Sequence, residues 1–528
     1  VTAASLAGPA KPRRIQRTRP RLGWLLPWIV PGALLGLWWL AGERHWMSEQ
    51  VLPPPSLVWQ SLVEFGGGEL WPQLGISLQR LALGLLGGVA AGVVLGAALG
   101  ASARLERLVY PTFAGLAQVP TLAWIPLFML FFGIGELLKL MVMIKAVIVP
   151  VTLHTLVGVR DAQPRLREAA AVLRLPWYLR LWRLTLPAAL PAFMTGLRIA
   201  LGTAWASLLA VELLASSEGI GYLMVWARQL FMLDVVFVCI LVIGVVGLLL
   251  DRGLAWFDRR LLFWPHPPTA AFQRRPVNGI AQRLEPWLLP LALLVLWQGV
   301  LSLGWIDSQI LVAPSQVLHT TVQGLANGNL PLALGQSLGR TLGGLLLGGS
   351  LGLLAGLLLG LARPTERLFG PTLGALRQVA IFAWVPLITA WFGLGELAKL
   401  VFIAFAAFFP LFVATQSGVA GLSPQLDEAA RVLRLGRLQR LWLLVLPGAA
   451  PAIFAGLRLA MIYAWLGTIG AEYFMPGGGG IGNLMIAAQQ VFQLDRIMAA
   501  MLLIGLTGAL INVLGQALEA RATRWRSQ

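Results

Sequence analysis

The side chains that could do covalent or metal chemistry are few and scattered. Four histidines, His45, His154, His266 and His319, stand far apart with no i, i+4 pairing, and the single cysteine, Cys239, lies in an apolar run. The commonest catalytic-metal arrangement, a Cys-ligated metal site and a disulfide framework within the chain are therefore excluded. No Gly-Lys dipeptide occurs, which removes the Walker-A loop that cradles nucleotide phosphates. What recurs instead is a polar pattern. Glu168-Ala169-Ala170-Ala171-Val172-Leu173-Arg174-Leu175 returns 260 residues later as Glu428-Ala429-Ala430-Arg431-Val432-Leu433-Arg434-Leu435. Each copy lies in a segment, from about Asp161 to Pro187 and from about Gly421 to Pro447, that mixes arginines with Leu173, Leu181 and Trp182 or with Leu433, Leu438, Leu441 and Trp442 at helical spacing. Such a segment is amphipathic, basic and too polar to cross a membrane. It lies flat on anionic headgroups or, being displayed twice, docks into a two-fold symmetric partner.

The elements that must position these segments are membrane spans. The 528 residues are 58% hydrophobic and 12% charged, against about 25% charged in soluble domains, so a soluble enzyme is excluded. The formal charge of +18 comes from 40 Lys+Arg against 22 Asp+Glu, but apolar runs separate those charges and leave no basic face for nucleic acid. Runs of about 20 apolar residues, enough to cross the hydrocarbon core, fall near 24–42, 78–101, 113–133, 137–158, 190–214 and 233–255, and again near 286–304, 336–361, 372–393, 397–418, 450–473 and 495–517. The expected fold class is an all-α integral membrane protein with two parallel six-helix repeats, about 12 transmembrane helices. Pro120 and Pro126, and Pro386 in the second copy, predict that two of the spans are kinked or partly re-entrant.

Arginine placement orients the chain, because cytoplasmic loops keep Lys and Arg. Lys11, Arg13, Arg14, Arg17, Arg19 and Arg21 precede the first span, and Arg160, Arg165, Arg167, Arg174, Arg180 and Arg183 follow the fourth. Both termini and the loops after span four are therefore expected in the cytoplasm, with the first span a retained signal anchor. The organisation reads as a basic cytoplasmic N-terminus (1–23), a first repeat (24–255), a Pro-containing cytoplasmic linker (256–285), a second repeat (286–518) and a cytoplasmic tail (519–528). The 260-residue offset also carries Trp124-Ile125-Pro126 onto Trp384-Val385-Pro386, Gly133-Ile134-Gly135-Glu136 onto Gly393-Leu394-Gly395-Glu396, and Gly196-Leu197-Arg198 onto Gly456-Leu457-Arg458. Parallel copies imply a pseudo-two-fold axis along the membrane normal, with a pathway on it.

Polar groups inside spans tend to face a cavity or one another, so Gln118, Trp124, Ser207 and Glu212, with Gln378, Trp384, Gly467 and Glu472, are candidate pathway residues, helix packing being the alternative. Arg198 and Arg458 are expected to snorkel to the membrane surface, Lys139 and Lys399 to face an outer docking surface, and Gly477 to Gly480 to form a flexible outer loop.

Glu168-Ala169-Ala170 leading to Leu184-Thr185-Leu186-Pro187, and Glu428-Ala429-Ala430 leading to Leu444-Val445-Leu446-Pro447, resemble the EAA motif of permease subunits of ABC-type importers. Pro191-Ala192-Phe193, Gly196-Leu197-Arg198, Glu212 and Gly219-Ile220-Gly221 are similar to the nitrate/sulfonate/taurine branch of that binding-protein-dependent family. The resemblance covers nearly all of the chain, twice over, as a head-to-tail fusion of two six-span permeases. It implies a transport subunit with no catalytic residue, metal or cofactor of its own, ATP and Mg residing on two partner ATPases. It implies further a periplasmic substrate-binding protein, residence in the bacterial inner membrane, and import of a small anion such as a sulfonate, sulfate ester, taurine or nitrate. The ATPase-coupling residues would be Glu168, Ala169, Ala170, Arg174, Leu186 and Pro187, with Glu428, Ala429, Ala430, Arg434, Leu446 and Pro447. Arg174 and Arg434 stand where the family has Gly, and a φ > 0 turn there would be strained by Arg, so the loop is expected to depart from the family's geometry. An ion-coupled secondary transporter with two parallel six-helix repeats is the alternative. It would need an ionisable midplane relay, for which few acids are present, and would leave the duplicated loops without a purpose.

Overall fold

A backbone in hydrocarbon must satisfy its own hydrogen bonds, and long apolar runs do so as helices. The computed structural model describes residues 26–160, 168, 170, 172–262, 280–306 and 311–524, and every regular element among them is helical. The basic residues Lys11 to Arg21, Arg165 and Arg167, His266 and most of the linker, and Ala169 of the first Glu-Ala-Ala triplet lie outside the described residues.

The first half runs α1 (Leu26–Glu43), α2 (Pro55–Gly66), α3 (Leu70–Ala101), α4 (Ala103–Gln118), α5 (Ile125–Phe132), α6 (Glu136–Arg160), α7 (Leu186–Ala215), α8 (Ile220–Gln229) and α9 (Leu233–Leu261). The second runs α10 (Ile280–Ser302), α11 (Pro314–Ala326), α12 (Asn329–Leu361), α13 (Arg363–Gln378), α14 (Val385–Phe392), α15 (Glu396–Ala420), α16 (Pro424–Val432), α17 (Leu446–Phe474), α18 (Ile481–Gln490) and α19 (Leu494–Ala522). Among the described residues nine helices are long and apolar enough to cross a membrane, or eleven if each of two bent pairs is one span. The expected twelfth, α1, is not among them; its 18 described residues include Pro27, Pro31, Glu43 and tryptophans 28, 38 and 39.

The bent pairs are the expected re-entrant segments. α4 and the stretch Thr121–Phe132 meet at 91°, and α13 and Ile381–Phe392 meet at 93°. Pro120 is not required, because Ala380 occupies its position with the same extended backbone (φ −58° and −53°); Pro126 and Pro386 open the short helix after the bend in both halves. Tertiary packing is shared as well. Ala123 and Leu127 are buried with Trp465, Ile469 and Ile504 of the second half, while Ala383 and Leu387 are buried with Trp205, Leu208 and Ile243 of the first. Each elbow is thus shared between the two cores, with Leu122 and Ile125, and Val385 and Ile388, buried in their own half. The first helices are exchanged too: α1 packs along α13, and α10 packs along α4, with Arg107 donating to Glu285 at 2.5 Å. Cys239 is fully buried in the first-half core.

Within each half the closest pairing is α3 with α6 and α12 with α15. Lipid tails remove the hydrophobic drive between helices, so small residues that let backbones approach must supply the contact. Gly84, Gly88, Gly92, Gly96 and Gly100 recur every fourth residue on one stripe of α3, and Gly344, Gly348, Gly352, Gly356 and Gly360 repeat the stripe on α12. A Cβ on Gly92 would lie 2.8 Å from Val151 Cβ, one on Gly96 2.6 Å from the Thr152 carbonyl oxygen, and one on Gly348 would collide with the Ala404 carbonyl. A side chain at Gly348 must therefore push α12 from α15, at about 1–3 kcal/mol or more. Gly339 on the same helix has open space around it. We expect Gly348→Leu to lower the thermal unfolding midpoint of detergent-solubilised protein and Gly339→Leu to leave it unchanged.

Candidate functional site

Two regions at opposite ends of the long helices carry the polar residues, with the elbows between them. The Glu-Ala-Ala segment of the second copy is the helix α16, capped by Ser423, whose Oγ accepts from the Leu426 N–H at 3.4 Å. Glu168 and Glu428 are exposed, whereas Ala170 and Ala430 are buried, so the second Ala of each triplet faces the protein and the Glu faces outward. Both copies end in the same turn: the Leu175 N–H donates to the Ala170 carbonyl at 3.1 Å and the Leu435 N–H to the Ala430 carbonyl at 3.0 Å, a Schellman closure. The residue making the turn is Arg174 (φ 48°) or Arg434 (φ 49°). The expected departure of the loop is corrected here. The left-handed turn is kept, and the exposed arginine carries its steric cost of about 1–2 kcal/mol.

The segments are not single amphipathic helices up to Pro187 and Pro447. After the turn the chain re-enters a helix at Trp177 or Arg437, passes through one widened turn (Leu181–Thr185 or Leu441–Val445) and continues as α7 or α17. In the widened turns the Leu186 N–H reaches the Leu181 carbonyl and the Leu446 N–H the Leu441 carbonyl. A proline follows each, lacking an N–H and needing room for its ring against the carbonyl four residues back, which the extra residue in the turn provides. Leu186 and Pro187, and Leu446 and Pro447, thus lie where the Glu-Ala-Ala segment passes into a continuous helix, Arg437–Phe474 in the second copy. Val172 (83% exposed), Leu173, Trp182, Val432 (82% exposed), Leu433, Leu438 and Trp442 leave an apolar surface on each tip.

At the other end, Glu212 and Glu472 are buried and held by internal bonds. Glu212 accepts from Arg80 Nη1 and Ser77 Oγ, both at 2.9 Å, and from the Gly221 N–H at 3.1 Å. Glu472 accepts from Arg340 Nη1 at 2.6 Å, Ser337 Oγ at 2.7 Å and the Gly482 N–H at 2.8 Å. Each carboxylate therefore ties α3 or α12 to the N-terminus of α8 or α18, where a negative charge is favoured. Gly219 (φ 102°) and Gly480 (φ 128°) open those helices, and a Cβ on either would collide with the carboxylate. The arginines reach further, Arg80 Nε to Glu136 at 2.8 Å and Arg340 Nε to Glu396 at 2.6 Å. Neither arginine is marked by any motif; the signal was an arginine inside an apolar run at the same 260-residue offset.

This clamp corrects two expectations. Lys139 and Lys399 are buried, turned inward by Glu136 and Glu396 three residues earlier, so the half-exposed glutamates face outward instead. The loop Gly477–Gly480 is exposed at Gly477 to Gly479 but held by hydrogen bonds, its carbonyls 477 to 479 accepting from Asn483 Nδ2 at 3.1–3.4 Å and the Gly479 carbonyl from Arg340 Nη1 as well. Arg198 binds Asp251 through Nε at 2.8 Å and Nη2 at 2.9 Å, and Arg458 binds Asn512 and Glu519, which ties α7 to α9 and α17 to α19.

Of the remaining pathway candidates, Gln118 and Trp124 lie on one elbow and Gln378 and Trp384 on the other. The Gln378 carbonyl packs on Gly247 of α9 and the Gln118 carbonyl on Gly508 of α19, both across the halves. Gln118 and Gln378 are half-buried, and the buried indole nitrogens of Trp124 and Trp384 have no hydrogen-bond partner among the described residues. Ser207 is half-buried on α7; its counterpart Gly467 packs on Ala406.

Comparison with known proteins matches the same organisation. The model of the family described as the binding-protein-dependent transport system inner membrane component matches residues 88–263 and again 348–527. An aliphatic sulfonates transport permease protein, SsuC of Bacillus subtilis, is 37% identical over 247 residues, covering 47% of this chain and 90% of that protein. The taurine transport system permease protein TauC of Escherichia coli is 36% identical over 237 residues, covering 44% of this chain and 86% of its own length. One relative therefore accounts for about one half of this chain.

Removing Arg80 leaves Glu212 buried without its counter-charge, at about 3–5 kcal/mol. We expect Arg80→Met to destabilise the protein strongly in thermal melts, and Arg80→Met with Glu212→Leu to cost less than the sum of the two single changes. The left-handed turns make a second prediction. Arg174→Gly and Arg434→Gly release about 1 kcal/mol of strain and keep or raise the melting midpoint, whereas Arg174→Val and Arg434→Val lower it.

Proposed function

This chain belongs to the binding-protein-dependent transport system inner membrane component family, and from that premise we propose that it is the complete membrane path of an ATP-driven importer, both halves in one polypeptide. It sits in the bacterial inner membrane with both termini in the cytoplasm, and it moves a small anion of the sulfonate or taurine kind inward. A periplasmic binding protein delivers the solute to the end that carries the Glu212 and Glu472 clamps. Two ATPase subunits bind at the other end and hold the ATP and Mg. The observation that carries this reading is the pair of Glu-Ala-Ala tips, each with an outward Glu and an apolar surface, each followed after one tight turn by the helix that runs on into α7 or α17.

The mechanism follows from those connections. ATP-driven closure of the ATPase pair moves both tips together. Because each tip continues into a long helix, the displacement travels along α7 and α17 as rigid bodies. Arg198–Asp251 and Arg458–Glu519 pass it to the last helix of the same half. Those last helices, α9 and α19, hold the elbow of the opposite half, so opening and closing of the two elbows is coupled. The path alternates between outward and inward openings, and no covalent step occurs in this subunit.

Reconstitution with the partner ATPase tests this. Truncating both outward carboxylates (Glu168→Ala with Glu428→Ala) should weaken complex formation or solute-stimulated ATP hydrolysis by roughly tenfold or more. Full assembly and full stimulation in that double variant would remove the coupling role, and uptake driven by a proton or sodium gradient without an ATPase would overturn the reading altogether.

A further inference from the structure

The two halves keep a tryptophan at each elbow, Trp124 and Trp384, but differ in the residue packed beside it. Lys145 of α6 corresponds to Phe405 of α15. Phe405 stacks beside Trp384 at 5.4 Å between ring centroids. Lys145 instead places its ammonium 5.8 Å from the centre of the Trp124 ring, and donates to the Val119 carbonyl at 2.6 Å and to Thr121 Oγ1 at 3.4 Å. No acidic side chain pairs with it among the described residues. It lies nine residues into a 25-residue span, about 14 Å along the helix, where an ammonium without a counter-charge is costly and marks a solute path.

A structural duty does not account for it. The bonds to Val119 and Thr121 would serve to cap the C-terminal end of α4, yet α13 ends at the same bend, 93° against 91°, with Phe405 in place of the cation. The elbow forms without the charge. Beside the ammonium, the Trp124 indole N–H is buried and has no partner among the described residues, and Lys145 itself is only half-buried. The ammonium has one N–H beyond these two bonds, and the neighbouring indole N–H has no partner among the described residues, so two donors, one of them charged, lie at this elbow.

We propose that Lys145 and the Trp124 indole N–H form a binding site for the oxyanion head of the transported solute, a sulfonate or an anion of similar shape, on one side of the pseudo-two-fold axis only. The proposal rests on the importer reading above. A single ammonium already shared with a carbonyl holds an anion firmly enough to select it and weakly enough to release it. The phenylalanine on the opposite side gives the aliphatic part of a sulfonate an apolar surface.

The test is uptake of radiolabelled ethanesulfonate into proteoliposomes holding this chain, its ATPase and its binding protein. Lys145→Phe, which copies the second half into the first, should raise the KM for uptake or lower the uptake rate by roughly tenfold, while Lys145→Arg stays within a few-fold of the unaltered protein. Equal KM and rate in Lys145→Phe would overturn the proposal while leaving the importer reading intact. No ATP-driven uptake of ethanesulfonate or taurine by the unaltered protein would remove both. If Lys145→Phe fails to assemble, Trp124→Phe, which deletes only the indole N–H, carries the test: a KM raised several-fold supports the site, and an unchanged KM overturns it.

Discussion

Close approach of helix backbones is the constraint on which the rest of this structure depends. In lipid, apolar side chains gain nothing by leaving one hydrocarbon environment for another, so helices associate through contact and polar bonds. The glycine stripes on α3 and α12 supply that contact against α6 and α15. The pairs so formed are the frame from which the other polar features hang. Arg80 and Arg340 on the stripe-bearing helices reach the buried carboxylates Glu212 and Glu472, and through them the N-termini of α8 and α18. Lys145 is held at a fixed depth because α6 is held against α3.

The same frame is packed across the two halves. Each elbow is shared between the two cores, and the first helices α1 and α10 pack across to α13 and α4. Separate six-helix units would have to associate before their elbows could find this burial. Joining them in one chain makes that association intramolecular and sets its effective concentration by the linker rather than by expression. Fusion further allows the halves to diverge. A homodimer cannot place Lys145 on one side and Phe405 on the other, and this chain does.

Much of this is legible in the residues. The 260-residue repeat, most of the spans and both elbows follow from apolar runs, prolines and duplicated polar positions. What is not legible depends on neighbours that the sequence does not name. Lys139 and Lys399 read as outward charges until Glu136 and Glu396 are seen to draw them inward. Glu212 and Glu472 read as pathway acids because their partners, Arg80 and Arg340, lie 132 residues earlier. Arg174 and Arg434 read as incompatible with a left-handed turn, yet both adopt it, since helix closure and solvent exposure outweigh a strain of about 1–2 kcal/mol. Ala380 shows the converse: it bends as Pro120 does, within packing that both cores share.

The central claim is that one polypeptide supplies both halves of the path and both docking tips. Its most direct test is the mass of the intact complex, measured by native mass spectrometry after extraction with the partner ATPase. One copy of this chain with two copies of the ATPase is the expected composition. Two copies of this chain per complex, or one ATPase per chain, would contradict it.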